Sequence, residues 1–119
     1  MAHPTRRAER HRVVASREIY WANLGAPAGR RPVCILTRDP AAGYLGRIVA
    51  AQVTRTIRGT RSEVVVGAVE GLPAASVVNC DNIVTVANHQ LDPNPIGRLG
   101  ADKQRELNNA LRYALAIKR

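Results

Sequence analysis

The sequence contains no phenylalanine, one tryptophan and three tyrosines. Val, Ala, Leu and Ile must therefore fill its core, and the β-branched share of these suits a pleated sheet. The same scarcity argues against RNA binding on an aromatic stacking platform of the RRM or OB kind. Cysteine is nearly absent: Cys34 and Cys80 sit inside apolar runs, which fits reduced, buried thiols better than a disulfide framework. No apolar run approaches the roughly 20 residues that span a bilayer. The start, Met1 to Arg12, is basic but has no apolar segment of the signal-peptide kind, so a cytoplasmic location is expected. No cysteine–histidine cluster has metal-ligand spacing and no glycine loop has the phosphate-binding pattern, so neither metal nor cofactor is expected.

Acidic residues are also few. Nine Asp and Glu face 18 Lys and Arg, for a formal net charge of +9, and only Lys103 and Lys118 among the basic residues are lysines. Arginine holds planar, bidentate contacts to phosphate and stays charged at any relevant pH. The surplus points to a polyanionic partner, either nucleic acid or an acidic protein. The alternative is a solvated surface in a GC-rich genome, where Arg replaces Lys.

At 119 residues the chain makes one domain. Residues 1–15 form a basic flexible tail carrying Arg6, Arg7, Arg10 and Arg12, and residues 16–119 form the domain. Strands are expected at Glu18–Leu24, Pro32–Thr37, Arg47–Thr54, Ser62–Val66, Ser76–Asn79 and Ile83–Val86. The last two flank Cys80, Asp81 and Asn82. Loops fall at Gly25–Gly29, Ala41–Gly46, Arg55–Arg61, Gly67–Ala75 and His89–Pro95. Ile96–Leu99 is a brief extended piece. From Ala101 to Ile117 the period changes: Leu107, Ala110, Leu111, Ala114 and Ile117 recur at spacings of three and four, one face of an amphipathic helix. Many short strands followed by one helix indicate an α+β, mainly β fold, a strongly bent antiparallel sheet or barrel with a helix attached.

Three segments in order resemble toxins of the MazF/PemK family. The first is Glu18-Ile19-Tyr20-Trp21 followed by Asn23-Leu24-Gly25. The second is Gly29-Arg30-Arg31-Pro32-Val33-Cys34-Ile35-Leu36. The third runs from Gly71-Leu72-Pro73 through Ser76-Val77-Val78-Asn79-Cys80-Asp81-Asn82-Ile83. Ile96-Gly97-Arg98-Leu99 before the helix matches as well, so the resemblance covers about residues 16 to 117.

The resemblance implies an SH3-like barrel of the PemK/CcdB kind with a C-terminal helix, forming a homodimer with an RNA groove across its interface. It implies a toxin that cuts single-stranded RNA without metal, through 2′-OH attack, leaving a 2′,3′-cyclic phosphate and a 5′-OH. It also implies a cognate antitoxin that inserts an acidic, disordered tail into the groove.

Carried over residue by residue, Arg31 would stabilise charge on the scissile phosphate, a term worth roughly 3 kcal/mol in such sites. Thr54 would hydrogen-bond that phosphate. Arg30, Arg55 and Arg58 would hold flanking phosphates, and Asn82 would read a splayed base edge or else cap a turn. His3 and His11 lie in the tail and His89 in a loop where the family varies, so no histidine is assigned to catalysis.

The chain departs from the family pattern in three places. Arg17 stands where the family has a glycine before the acidic residue of strand one. The loop after strand one carries no acidic or glutamine residue, so sequence specificity does not carry over. Gln52-Val53-Thr54-Arg55 keeps the family's threonine at the end of strand three and loses its proline. Two other functions fit parts of the pattern. A gyrase-binding toxin resembling CcdB would share the fold, but such toxins end in an apolar Trp-Gly-Ile tail, unlike Ala116-Ile117-Lys118-Arg119. A non-catalytic basic RNA-binding module would bind without cutting.

Overall fold

The computed structural model describes residues 14–39 and 46–118. Most of the basic tail and most of the Ala41–Gly46 turn lie outside the described residues. Six strands form one antiparallel sheet: β1 Glu18–Asn23, β2 Arg30–Ile35, β3 Arg47–Thr54, β4 Glu63–Val66, β5 Ser76–Ala87 and β6 Gly97–Arg98, with helix α1 at Ala101–Ala114. The spatial order is β4-β5-β3-β2-β1-β6. The sheet curls into a half-barrel with α1 against it, the expected mainly β architecture.

Side chains alternate along each strand, and the apolar ones divide accordingly into two clusters. Ile19, Cys34, Ala51, Val53, Val64 and Val78 pack with Leu107 and Ala110 of α1 and with Leu72 and Leu99. Tyr20, Ala22, Val33, Ile35, Ile48, Ala50 and Val86 pack with Val14 and Leu91. Val14, the first described residue and part of the stretch assigned to the tail by charge, is buried in the second cluster. Aromatic rings are almost absent from both clusters; small and β-branched residues fill a tightly curled sheet.

Four local details differ from the sequence reading. β2 starts two residues early, at Arg30, because Asn23 and Arg30 pair across the first hairpin. Ser76–Asn79 and Ile83–Val86 are one strand, β5, joined through an irregularity: Gln52 pairs with Asn79 while Ala51 pairs with Ile83. Cys80, Asp81 and Asn82 are the extra residues of this bulge. The Gly67–Ala75 and His89–Pro95 connections each open on a single 3-10 turn, Ala68–Glu70 and Asn88–Gln90. The helix ends at Ala114, leaving Ile117 beyond it and exposed.

Arg17 sits at φ +71, so the tight turn survives the loss of the family's glycine. A left-handed residue with a β-carbon costs roughly 1–2 kcal/mol. Several contacts hold it there. Its N–H donates to the Ile35 carbonyl at 2.7 Å and its own carbonyl accepts from Leu99 at 3.0 Å. Its guanidinium donates to the Leu36 carbonyl at 3.1 Å and to Asn108 Oδ1 of α1 at 2.9 Å. Glu18 Oε1 accepts from the Ala15 N–H and from the Tyr20 hydroxyl, which fixes the chain's approach to β1.

The chain from Gln90 to Leu99 runs beside β1. Leu91 bridges to Ala22, Asp92 N–H donates to the Trp21 carbonyl at 2.9 Å, and Ile96 N–H donates to the Ile19 carbonyl at 2.7 Å. Where this segment crosses the Glu70–Gly71 turn, the backbones touch. A β-carbon on Gly97 would collide with the Glu70 carbonyl.

Both thiols are buried and unpaired. Burial pushes the Cys34 thiol from its ordinary 9.0 up to about 12 and the Cys80 thiol up to about 11. The folded chain therefore keeps protons that the unfolded chain would release above pH 9. Stability is expected to hold below about pH 9 and to fall as pH rises from there toward 12, as followed by urea midpoints across that range. Iodoacetamide at pH 8 is expected to label neither thiol until the chain is unfolded. Gly97→Ala is expected to lower the denaturation midpoint, an overpacking cost of about 1–3 kcal/mol.

Candidate nucleic-acid interface

β2 and β3 run antiparallel with Val33 opposite Gln52, Cys34 opposite Ala51 and Ile35 opposite Ala50. Extending that register by two residues sets Arg31 opposite Thr54. Directly opposed residues share a face, so the two side chains emerge together at the end of the hairpin. Arg31 is exposed and Thr54 half-buried. Arg31 Nε donates to the Ala28 carbonyl at 3.2 Å, and Thr54 Oγ1 accepts from the Thr56 N–H at 3.1 Å. Each side chain is steadied by one backbone contact and keeps further hydrogen-bonding groups for a ligand.

Two surface hollows meet at this pair. The first, about 310 Å³, includes Trp21, Arg30, Arg31, Thr54, Arg55 and Leu72 in its wall. The second, about 390 Å³, includes Arg31, Gln52, Thr54, Arg58, Asn79 and Asn82. Arg31, Thr54 and Thr56 belong to both. All six residues assigned from sequence thus fall on one continuous concave surface: Arg30 and Arg55 to one side of the central pair, Arg58 and Asn82 to the other.

The arginines are not equivalent. Arg30 makes a bidentate pair with Asp92, at 2.8 and 2.7 Å, and its guanidinium carbon lies 5.1 Å from the centre of the Trp21 ring. The Asp92 hydrogen bond raises the Arg30 pKa further above its ordinary range. The expected phosphate contact at Arg30 is therefore already occupied by a carboxylate of the chain itself.

Arg58 is held differently. Glu63 takes the Arg58 and Gly59 N–H groups, at 3.0 and 2.8 Å to Oε1, which folds the β3–β4 loop and leaves the Arg58 guanidinium out of that contact. Arg61, by contrast, stacks on Tyr113 at 4.5 Å and lines neither hollow.

The ionisable side chains lining the two hollows are all arginines. His89 lines a separate depression with Asn23, Leu24, Gly25 and Gln90. Among the described residues no group of three His, Cys, Asp or Glu side chains is placed to hold a metal ion. No helix among them is long and apolar enough to cross a membrane.

Sequence reasoning missed Gln52, Glu63, Asn79 and Asp92. Glu63 carried a local signal, being the first carboxylate after the basic Arg55–Arg61 loop. Asp92 carried none, since it lies 62 residues from its partner.

Comparison with known proteins bears on the family and the fold. Residues 15–115 match the family described as PemK-like, MazF-like toxin of type II toxin-antitoxin system. The chain is 39% identical over 103 residues to the probable endoribonuclease MazF5 of Mycobacterium tuberculosis, covering 86% of this chain and 93% of that protein. It is 42% identical over 87 residues to endoribonuclease MazF3 of the same organism, covering 73% and 84%. Among solved structures, the Mycobacterium tuberculosis toxin MazF-mt6 superposes with a TM-score of 0.80 at 38% identity, covering 87% of this chain and 100% of that one. An endoribonuclease in complex with its cognate antitoxin, from a mycobacterial species, superposes with a TM-score of 0.78 at 25% identity, covering 89% and 98%. With a family match along most of its length and a half-barrel of the same shape, the chain belongs to the PemK/MazF family of toxins of type II toxin–antitoxin systems.

Proposed function

We propose that this chain is the toxin of a type II toxin–antitoxin pair and acts as a sequence-specific endoribonuclease on single-stranded RNA. Cleavage proceeds without a metal ion, by attack of the ribose 2′-OH on the adjacent phosphorus. The products are a 2′,3′-cyclic phosphate and a 5′-OH. The observation that carries this reading is the register that brings Arg31 and Thr54 out side by side between two hollows. Membership of a family whose relatives are named endoribonucleases supports the reaction class.

In the reaction the phosphorus becomes five-coordinate and gathers negative charge on its non-bridging oxygens. Arg31 meets that charge with a guanidinium steadied by the Ala28 carbonyl, so little reorganisation is needed as the charge grows. The Thr54 hydroxyl donates to one of the same oxygens while accepting from the Thr56 N–H. Arg55 and Arg58, on opposite sides, hold the phosphates before and after the cut. The work is positioning and charge stabilisation, the two terms a surface rich in arginine supplies best.

The same surface suits the acidic, disordered tail of a cognate antitoxin, whose carboxylates would take the arginines that the RNA backbone would otherwise use. A homodimer would extend the groove across two chains in the cytoplasm. A gyrase-directed reading has no comparable support, since the arginine-lined concave surface suits phosphate better than an apolar partner.

Arg31→Ala and Thr54→Ala are each expected to abolish growth inhibition and to cut the rate on a long single-stranded RNA in EDTA by about a hundredfold or more, with the melting temperature unchanged. Full activity in both variants would refute the assignment, and binding without cuts by the wild-type chain would favour a non-catalytic RNA-binding module. Asp92→Asn is expected to release Arg30, tightening RNA binding and steepening its salt dependence by about one phosphate contact. Arg58→Ala should make that dependence shallower by a similar step, measured by titration from 50 to 200 mM salt.

A further inference from the structure

The two hollows beside Arg31 and Thr54 differ in chemistry. The first presents Trp21, Leu72 and Pro73 with Arg30 and Arg55, and no carboxamide lines it. One face of the Trp21 ring is already covered by the Arg30 guanidinium. The second hollow gathers three carboxamides, Gln52, Asn79 and Asn82, which come from two strands, Asn82 from within a bulge and Asn79 from its edge.

That gathering is built rather than incidental. Continuing the Ala51–Ile83 register would set Asn82 opposite Gln52, and the shift at the bulge sets Asn79 there instead. Gln52 thus meets both: it pairs with Asn79 in register, and its Nε2 donates to Asn82 Oδ1 at 3.2 Å. Asn79 Oδ1 accepts the Asp81 N–H at 2.9 Å, closing the bulge from within. Asp81 is pinned in turn by Ser62, whose hydroxyl donates to Asp81 Oδ2 at 2.6 Å. The Ser62 carbonyl accepts the Cys80 N–H at 2.9 Å, and Ser62 is 1% exposed.

These contacts consume one group of each amide and leave the other. Gln52 keeps its carbonyl oxygen, and Asn79 and Asn82 keep their NH2 groups. Within a hollow that Arg31 and Arg58 also line, the three carboxamides therefore offer an uncharged acceptor and several donors, held in place before any ligand arrives. A phosphate gains little from such a surface compared with the neighbouring guanidiniums. A nucleobase edge, neutral and carrying donors and acceptors in a fixed pattern, is the group it matches.

We propose that Gln52, Asn79 and Asn82 form a base-reading subsite on one side of the scissile phosphate, so that sequence discrimination is one-sided. The base on the other side, in the Trp21–Leu72–Pro73 hollow, is accepted by shape with little preference among bases. This inference rests on the RNA-cleaving reading above and assigns the source of its specificity.

The test uses the full-length chain and a randomised single-stranded RNA library in two arms, end-mapping of cuts and sequencing of bound molecules. Gln52→Ala and Asn82→Ala are compared with wild type, and a melting curve for each variant confirms the fold. Both variants are expected to lose about tenfold in discrimination at one position next to the cut, in both arms, with preferences elsewhere retained. A uniform loss of cutting with every preference intact, or relaxation spread over all positions, overturns the subsite. If the wild-type chain binds with a base preference but makes no cuts, the nuclease reading falls. The binding arm then decides the subsite on its own: loss of that preference in the variants supports it, and retention overturns it.

Discussion

The functional surface depends on one pairing register, Val33 of β2 against Gln52 of β3. Because strand side chains alternate with a period of two, a slip of one residue would send either Arg31 or Thr54 to the opposite face of the sheet, the side on which α1 packs. The slip is blocked by burial on both faces at once. Val33, Ile35 and Ala50 fill one cluster, and Cys34, Ala51 and Val53 fill the other. Shifting the register would expose one set and press the polar Gln52 and Thr54 into the helix-covered core. The apolar residues next to the site thus fix where its polar residues point, which links core packing directly to the geometry of the proposed site.

Electrostatics is the second organising influence, and it is more selective than a net charge of +9 suggests. Arg17 serves the fold, bridging the end of β2 to α1 through Leu36 and Asn108. Arg61 lies on Tyr113, and Arg30 is matched by Asp92. Removing these from the count leaves Arg31, Arg55 and Arg58 as the arginines of the hollows without an ion-pair partner in the described structure. Three such cations along one concave strip are the arrangement on which the proposed contact with a single strand of phosphates rests.

Much of this was legible in the sequence because the signals are local. Alternation in Arg47–Thr54 and the three-and-four spacing of Leu107, Ala110, Leu111 and Ala114 each report a period that the backbone enforces. The motif residues Arg31 and Thr54 could be placed at strand ends for the same reason. What was not legible depends on pairing between distant segments. β5 reads as two strands because Cys80-Asp81-Asn82 breaks the alternation, and only its pairing with β3 shows that the break is a bulge within one strand. Arg30 reads as a free cation because its partner Asp92 is brought alongside by the path of residues 90–99 beside β1. The grouping of Gln52, Asn79 and Asn82 likewise appears only once the bulge sets Asn79 opposite Gln52 while Gln52 still reaches Asn82.

The Arg17 turn illustrates how such a fold tolerates sequence change near its site. The positive φ that a glycine would adopt freely is imposed here on an arginine, and the strain persists because surrounding contacts over-determine the backbone. Two backbone hydrogen bonds fix the peptide groups on either side of Arg17, and the side chain, long enough to cross the sheet end, contributes contacts that glycine could not make. The turn that starts β1 is thereby fastened to both β2 and α1. Since β1 carries Trp21 and flanks the Arg30–Asp92 pair, the same fastening sets the far wall of the first hollow. A residue that departs from the family pattern at the edge of the fold can keep the wall of the site in place because the hydrogen bonds around it replace the conformational freedom it lacks.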